Sequence, residues 1–312
     1  MIRNKPFESF ALVFSLLLAS DDYIFACDAD YYTLETVQKF AQVEKPETLL
    51  LASVLADWDV LREQDPTVDL PSPGLLQMKA LQIAPDDEMV LNFIANGCYP
   101  SNPIEGSLGC NIKRATELTN LDPDNGFYWA NLAHYQLGQG EIELALDSYR
   151  RAAEAPVFSI GWGEQVYRFT AAAQEVLATS TACSAEIAAG VTAGNLPAFQ
   201  EFTDTCRALS GQEVWRQACI DLGLNMETKS QTMISRMIGF PLQRIAYEAT
   251  GDGNNVKAIK VREEQLQTLV REQAGIQDCM DDPDWVDQWL ANMREVGEME
   301  TLQRMRESVS QC

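Results

Sequence analysis

The sequence predicts an all-α fold, and three observations carry that prediction. Almost no stretch of the 312 residues alternates apolar and polar side chains with a period of two, the mark of a half-buried strand. Apolar residues recur instead three and four apart through most of the chain, which places them on one face of a helix. Clusters of Gly, Pro, Ser, Thr and Asp interrupt that pattern at spacings that suit helices.

In chain order, residues 31–44 and 46–63 read as amphipathic helices, the second carrying Leu49, Leu50, Leu51, Val54, Leu55, Val60 and Leu61. Residues 65–74, DPTVDLPSPG, are the most loop-like stretch and form a joint. Helical patterning resumes over 74–85 and after Pro85, with a loop at 97–109. Residues 161–179, 185–194, 196–210 and 212–222 form a series of helices. Residues 228–250 are helical, with Pro241 expected to kink the helix or start a new turn because it lacks an N–H. A turn at 252–255 precedes a helix over 256–274, whose broad apolar face carries Ile259, Val261, Leu266, Leu269 and Val270. Pro283 opens a final segment that turns Trp285, Val286, Trp289 and Leu290 to the core, and Gly297 is where it would fold back.

The strongest local signal is residues 126–159, GFYWANLAHYQLGQGEIELALDSYRRAAEAPVFS. Trp129, Leu132 and Ala133 share one helical face, and Ala145, Tyr149 and Ala152 lie four and three apart on the next helix. Small residues at Ala133 and Ala145 allow close approach, Trp129 and Tyr149 fill the gap, and Gly140 supplies the turn. This pattern resembles one tetratricopeptide (TPR) repeat, an antiparallel helix pair that stacks with copies of itself. It departs from the family at Gln136, where a Tyr is usual, and at Val157, where a Pro is usual; Tyr135 and Pro156 stand one place early. Upstream, ALQIAPDD over 80–87 has the closing form of LTNLDPDN over 118–125, and Leu91, Ile94 and Ala95 stand where Trp129, Leu132 and Ala133 do. Residues 86–123 thus resemble a degenerate repeat, and 74–85 the second helix of a truncated one. The resemblance implies a TPR-like helical hairpin array. Its concave face is either open or filled by the C-terminal helices, which would make a compact helical domain. If the face is open, it implies a groove for a protein or peptide partner lined by Phe127, Ala130, His134, Leu137 and Gly138. The domain plan is then a signal segment over 1–26, N-terminal helices over 27–73, TPR-like repeats over 74–159 and a C-terminal helical region over 160–312.

Composition narrows the function classes. A formal charge of −23 makes nucleic acid an improbable partner, since phosphate binding needs a basic surface. At the N-terminus, Arg3 and Lys5 precede a short apolar run over 10–19, the form of an export signal and too short to span a bilayer. Cleavage after Ser20 or Ala26 gives a periplasmic or secreted protein. The IFAC run over 24–27 also resembles a lipobox, which would make Cys27 a lipidated residue, an outer-membrane anchor and the only membrane attachment. Without a working signal the protein is cytoplasmic. Eight cysteines form no CxxC pair and there is a single histidine, so neither a metal site nor a cofactor is expected. An even count suits disulfides in an oxidising compartment. Cys98 with Cys110, Cys206 with Cys219, and Cys279 with Cys312 are the candidate pairs; Cys27 and Cys183 remain. No Ser, Cys or His constellation suggests catalysis. A non-catalytic partner-binding protein is therefore the leading expectation. A carboxylate-dependent enzyme acting on glycans and a purely structural helical domain are the alternatives. Two facing carboxylates in a cleft, one with a raised pKa, would favour the enzyme.

Overall fold

The computed structural model describes residues 27, 33–56, 72–97, 111–271, 279–280 and 282–309. They form helices α1 (Leu34–Gln42), α2 (Pro46–Leu55), α3 (Pro73–Ile83), α4 (Glu88–Asn96), α5 (Ile112–Leu121), α6 (Gly126–Gly138), α7 (Ile142–Glu154), α8 (Trp162–Leu177), α9 (Thr181–Gly194), α10 (Phe199–Leu209), α11 (Glu213–Lys229), α12 (Met233–Glu248), α13 (Gly253–Arg271) and α14 (Pro283–Val309). Among the described residues, extended pairing is confined to two isolated bridges, Asn125 with Val157 and Phe158 with Ser230. The fold is all-α.

Local chemistry explains where the helices begin. Thr33, Ser72, Asp87, Asn111 and Ser180 each accept a hydrogen bond from the amide three residues on. Each such cap stabilises its helix by about 1 kcal/mol. Pro46, Pro73 and Pro283 stand at first helical positions, where a missing N–H costs nothing. Several boundaries differ from expectation. α2 is not amphipathic: Thr48, Leu49, Leu50, Leu51, Ala52, Ser53 and Leu55 are all buried, as expected of a helix enclosed on every side. α9 starts four residues early, at the Ser180 cap. α11 runs on to Lys229 because Leu222, Gly223, Asn225 and Met226 are buried against its neighbours, so the break falls at 230–232. α12 continues through Pro241. Gly297 breaks α14 as expected, with φ 78° and ψ 173°; a side chain there would strike Gln231, its Cβ coming within 2.6 Å.

Two hydrophobic clusters make the core. One gathers α1, α2, α3, most of α4, α8, α9 and α14 around Phe40, Leu49–Leu51, Phe93 and Phe169. The other gathers α5, α6, α7, α10, α11 and α12 around Phe127, Tyr128, Tyr149, Phe158 and Trp215. α4 serves both, with Val90, Phe93 and Ile94 facing the first and Leu91 and Ala95 the second. The chain visits the clusters alternately. The sequence divisions at 73 and 159 therefore do not coincide with the division of the core.

Cys206 and Cys219 are bonded (Cα–Cα 5.8 Å), joining α10 to α11 as the sequence suggested. Cys27 and Cys183, which the spacing left unpaired, are bonded to each other (Cα–Cα 4.7 Å) across 156 residues. That bond corrects the lipidation expectation for Cys27, since its one sulfur valence is occupied by Cys183. Cys279 is also disulfide-bonded. Cys98, Cys110 and Cys312 lie outside the described residues, as does the signal-like segment 1–26. The disulfides fit an oxidising, exported location. No described helix is long and apolar enough to cross a membrane.

Candidate functional site

α6 and α7 form an antiparallel pair, registered by Ser148 Oγ donating to Gln136 Oε1 (2.8 Å) and by Tyr149 beside His134. Ala133, Ala145, Tyr149 and Ala152 are fully buried and Leu132 nearly so, as their spacing requires. Trp129 behaves differently. It lies half-buried on the flank, its indole N–H donating to the Pro123 carbonyl (2.8 Å), with the Arg151 guanidinium 4.7 Å from the ring centroid.

The groove expected on this pair is closed. Phe127 and Ala130 are 1% and 0% exposed, and His134 only 6%. The Phe202 ring of α10 stacks on His134 at 4.6 Å, and Phe199 packs edge-on to Phe202. Trp215 of α11 meets Tyr149 at 5.4 Å. Leu137 is half-buried and Gly138 exposed, at the far end of the helix. Phe127, Ala130 and His134 are therefore closed to a partner: Phe202 of α10 covers His134, Trp215 of α11 covers Tyr149 and Phe158 packs on Phe127. His134 lies near the Glu201 carboxylate, but 3.9 Å is too long for a hydrogen bond. Burial dominates, lowering its pKa to about 3 and leaving a neutral imidazole.

A cavity of about 520 Å³ lies instead where the two clusters meet, lined by α4, the 159–161 segment, the start of α8, Gln231 and α14. Its frame comes from backbone. The Gly126 amide donates to the Val157 carbonyl, Gln231 N to Phe158 O, and Met299 N to Gln231 O, linking four segments that are remote in sequence. Gly163 lets α8 approach α14, since a Cβ there would fall 1.9 Å from the Met293 carbonyl.

The charged groups of this cleft differ in how they are held. Arg168 bridges Glu47 of α2 and Asp87 of α4, with Nη1 2.9 Å from Asp87 Oδ1. Burial would raise the pKa of Asp87, but the Arg168 hydrogen bond and charge bring it below the usual range. Glu164 is paired with Arg294 at 2.7 Å, and Arg294 also covers the Tyr167 ring. Among the described residues Glu88 has no such partner; exposed to solvent, it accepts a hydrogen bond from the Tyr128 hydroxyl at 3.0 Å. Burial raises its pKa, the Tyr128 bond opposes this, and the charges of Asp122, Asp87 and Glu164 add to the rise. One turn further along α4, Asn92 lines the same cleft but is only 2% exposed, and its Oδ1, closed to solvent, has no hydrogen-bond partner among the described residues.

Neither Glu88 nor Asn92 stood out in the sequence as a site residue. The available signal was the run EMVLNFIAN over 88–96, in which Asn92 and Asn96 sit four apart on an otherwise apolar helix. A second hollow, about 340 Å³ between α7 and α11, sets Arg150 and Lys229 against Glu154 and Asp221, so its charges balance. Among the described residues no group of three His, Cys, Asp or Glu side chains could hold a metal. Asp282 accepts from the Asp284 and Trp285 amides at the start of α14, the role of a helix cap. At the start of α12, Thr232 Oγ1 donates to Ser235 Oγ, and Gly239 abuts Gly223 of α11.

No family model, curated protein or solved structure matches the chain.

Proposed function

We propose that this chain is an exported, non-catalytic binding protein of the bacterial envelope, periplasmic or secreted, built around a TPR-like helix pair. Its partner, a protein or peptide, enters the cleft between α4, α8 and α14 rather than the concave face of the pair. The observation that carries this reading is the cavity of about 520 Å³ itself, in which Arg168 and Arg294 are already paired while the exposed Glu88 carboxylate is held by the Tyr128 hydroxyl. The junction of two cores is also where binding cavities commonly form. The disulfides favour export.

The raised pKa of Glu88 is the feature expected of a carboxylate enzyme, and it makes glycan hydrolysis the second reading. Such chemistry needs a second carboxylate free to act. Asp87 and Glu164 are instead held by Arg168 and Arg294, which favours binding. Site-specific photocrosslinking in the cells that make the protein tests the choice. A benzophenone side chain in place of Glu164, in the cleft, should capture one discrete envelope partner, and one in place of Leu144, on the exposed flank of α7, should not. Capture from Leu144 alone, or from neither, would overturn the reading. Glycan cleavage abolished by E88Q would replace it with the enzyme.

A further inference from the structure

We infer that a leader peptidase cuts this chain between Ala26 and Cys27, and that the α-ammonium group it creates is held by the Glu186 carboxylate. This rests on the reading of the chain as exported and goes beyond it, by selecting one of the two cleavage points, after Ser20 or after Ala26, that the sequence offers. The step is a hydrolysis. Water supplies an oxygen to the new Ala26 carboxylate, the C–N bond breaks, and both water protons end on the Cys27 nitrogen.

The surroundings of Cys27 point to that cut. The residue is 4% exposed and bonded to Cys183 in the first turn of α9. Its main-chain nitrogen donates to Glu186 Oε2 at 3.2 Å, three residues further along the same helix. Glu186 is the single charged residue of α9, TACSAEIAAGVTAG. A peptide amide needs only one neutral acceptor, which any carbonyl oxygen supplies. An α-ammonium in so buried a position needs an opposite charge, and a carboxylate at hydrogen-bond distance is that charge. Ala26 puts a small side chain immediately before the cut, as leader peptidases require. The bonded sulfur excludes the thioether lipid that could otherwise accompany a cut at this cysteine.

The test starts with the protein purified from the envelope of the cells that make it. Mass spectrometry of its N-terminal peptide, before and after reduction, should find Cys27 first, with a free α-amine and a thiol released only by reduction. Any other first residue, Asp21 included, or a lipid on Cys27 would overturn the inference and leave export standing. A full-length chain would sink the inference and the export reading together. The Glu186 contact has its own readout. With the α-amine 13C-dimethylated, NMR titration should show that E186Q lowers its midpoint by about one pH unit. Equal midpoints in the two proteins would overturn the pairing.

Discussion

The two hydrophobic clusters are built by different means. The one containing the α6–α7 pair is an interlocked set of rings: Phe127 on Phe158, Tyr149 on Trp215, Phe202 on His134. Edge and stacked ring pairs add about 0.5–1.5 kcal/mol beyond the area they bury. Its disulfide spans 13 residues and ties α10 to the neighbouring α11. The other cluster is mainly aliphatic, centred on α2, and its disulfide bridges 156 residues. Local specificity holds the first cluster; the second gathers segments from both ends of the chain. The buried, unpartnered amide oxygens of Asn92 and Asn96 lie on α4, the helix that belongs to both. The larger of the two cavities described, about 520 Å³ against 340 Å³, lies at the junction between them.

Breaking each disulfide should give the largest and most unequal effects. In the chain-entropy account, replacing Cys27 and Cys183 by Ser loses about 5 kcal/mol, and replacing Cys206 and Cys219 about 3 kcal/mol. Urea unfolding of the two double variants measures the difference; equal losses would refute the contrast between a closure bond and a local one. Glycine substitutions come next. A Cβ on Gly223 would lie 2.6 Å from the Gly239 carbonyl, and one on Gly239 2.5 Å from the Gly223 carbonyl. G223A should therefore cost about 2–3 kcal/mol by overpacking α11 against α12. Gly190 of α9 faces open space, so G190A in the aliphatic cluster should gain about 0.5–1 kcal/mol of helix propensity.

Acid should weaken the aromatic cluster through His134. Its folded pKa of about 3 lies below the ordinary 6.5, so between those values the unfolded chain binds the extra proton and stability falls as pH drops. The loss should be roughly 1 kcal/mol per pH unit between about 6 and 4. H134Q should flatten that slope whatever it does to stability at pH 7. Glu88 gives the smallest effect, with the opposite sign. Its raised folded pKa means that its contribution is present in acid and lost as pH rises through that pKa, with Asp87, Asp122 and Glu164 opposing ionisation and Tyr128 favouring it. E88Q should thus raise the melting temperature by about 1–2 °C at pH 7 and lose this advantage by pH 4. A variant that is more stable yet binds less well would mark Glu88 as retained for recognition.

Much of the fold was legible because its signals are local. The turn at Gly140 and the three- and four-residue spacing of Ala145, Tyr149 and Ala152 depend only on neighbours in the chain. The end of α11 was not legible, because Leu222 to Met226 extend the helix only when α12 is there to pack against. The site was misread for the same reason. Phe127, Ala130 and His134 have the spacing of groove residues, yet all three are buried, His134 under Phe202 of α10 and Phe127 against Phe158.

The sequence by itself determined that the chain is helical, acidic and rich in cysteines that can pair, since helix periodicity, charge and residue counts require no knowledge of long-range contacts. Tertiary structure alone decided that Cys27 meets Cys183, that the concave face of α6 and α7 is filled, and that Glu88 and Asn92 share a cleft with α14. Those outcomes depend on which remote helices cover one another, and packing complementarity between surfaces a hundred residues apart leaves no periodic trace in the chain.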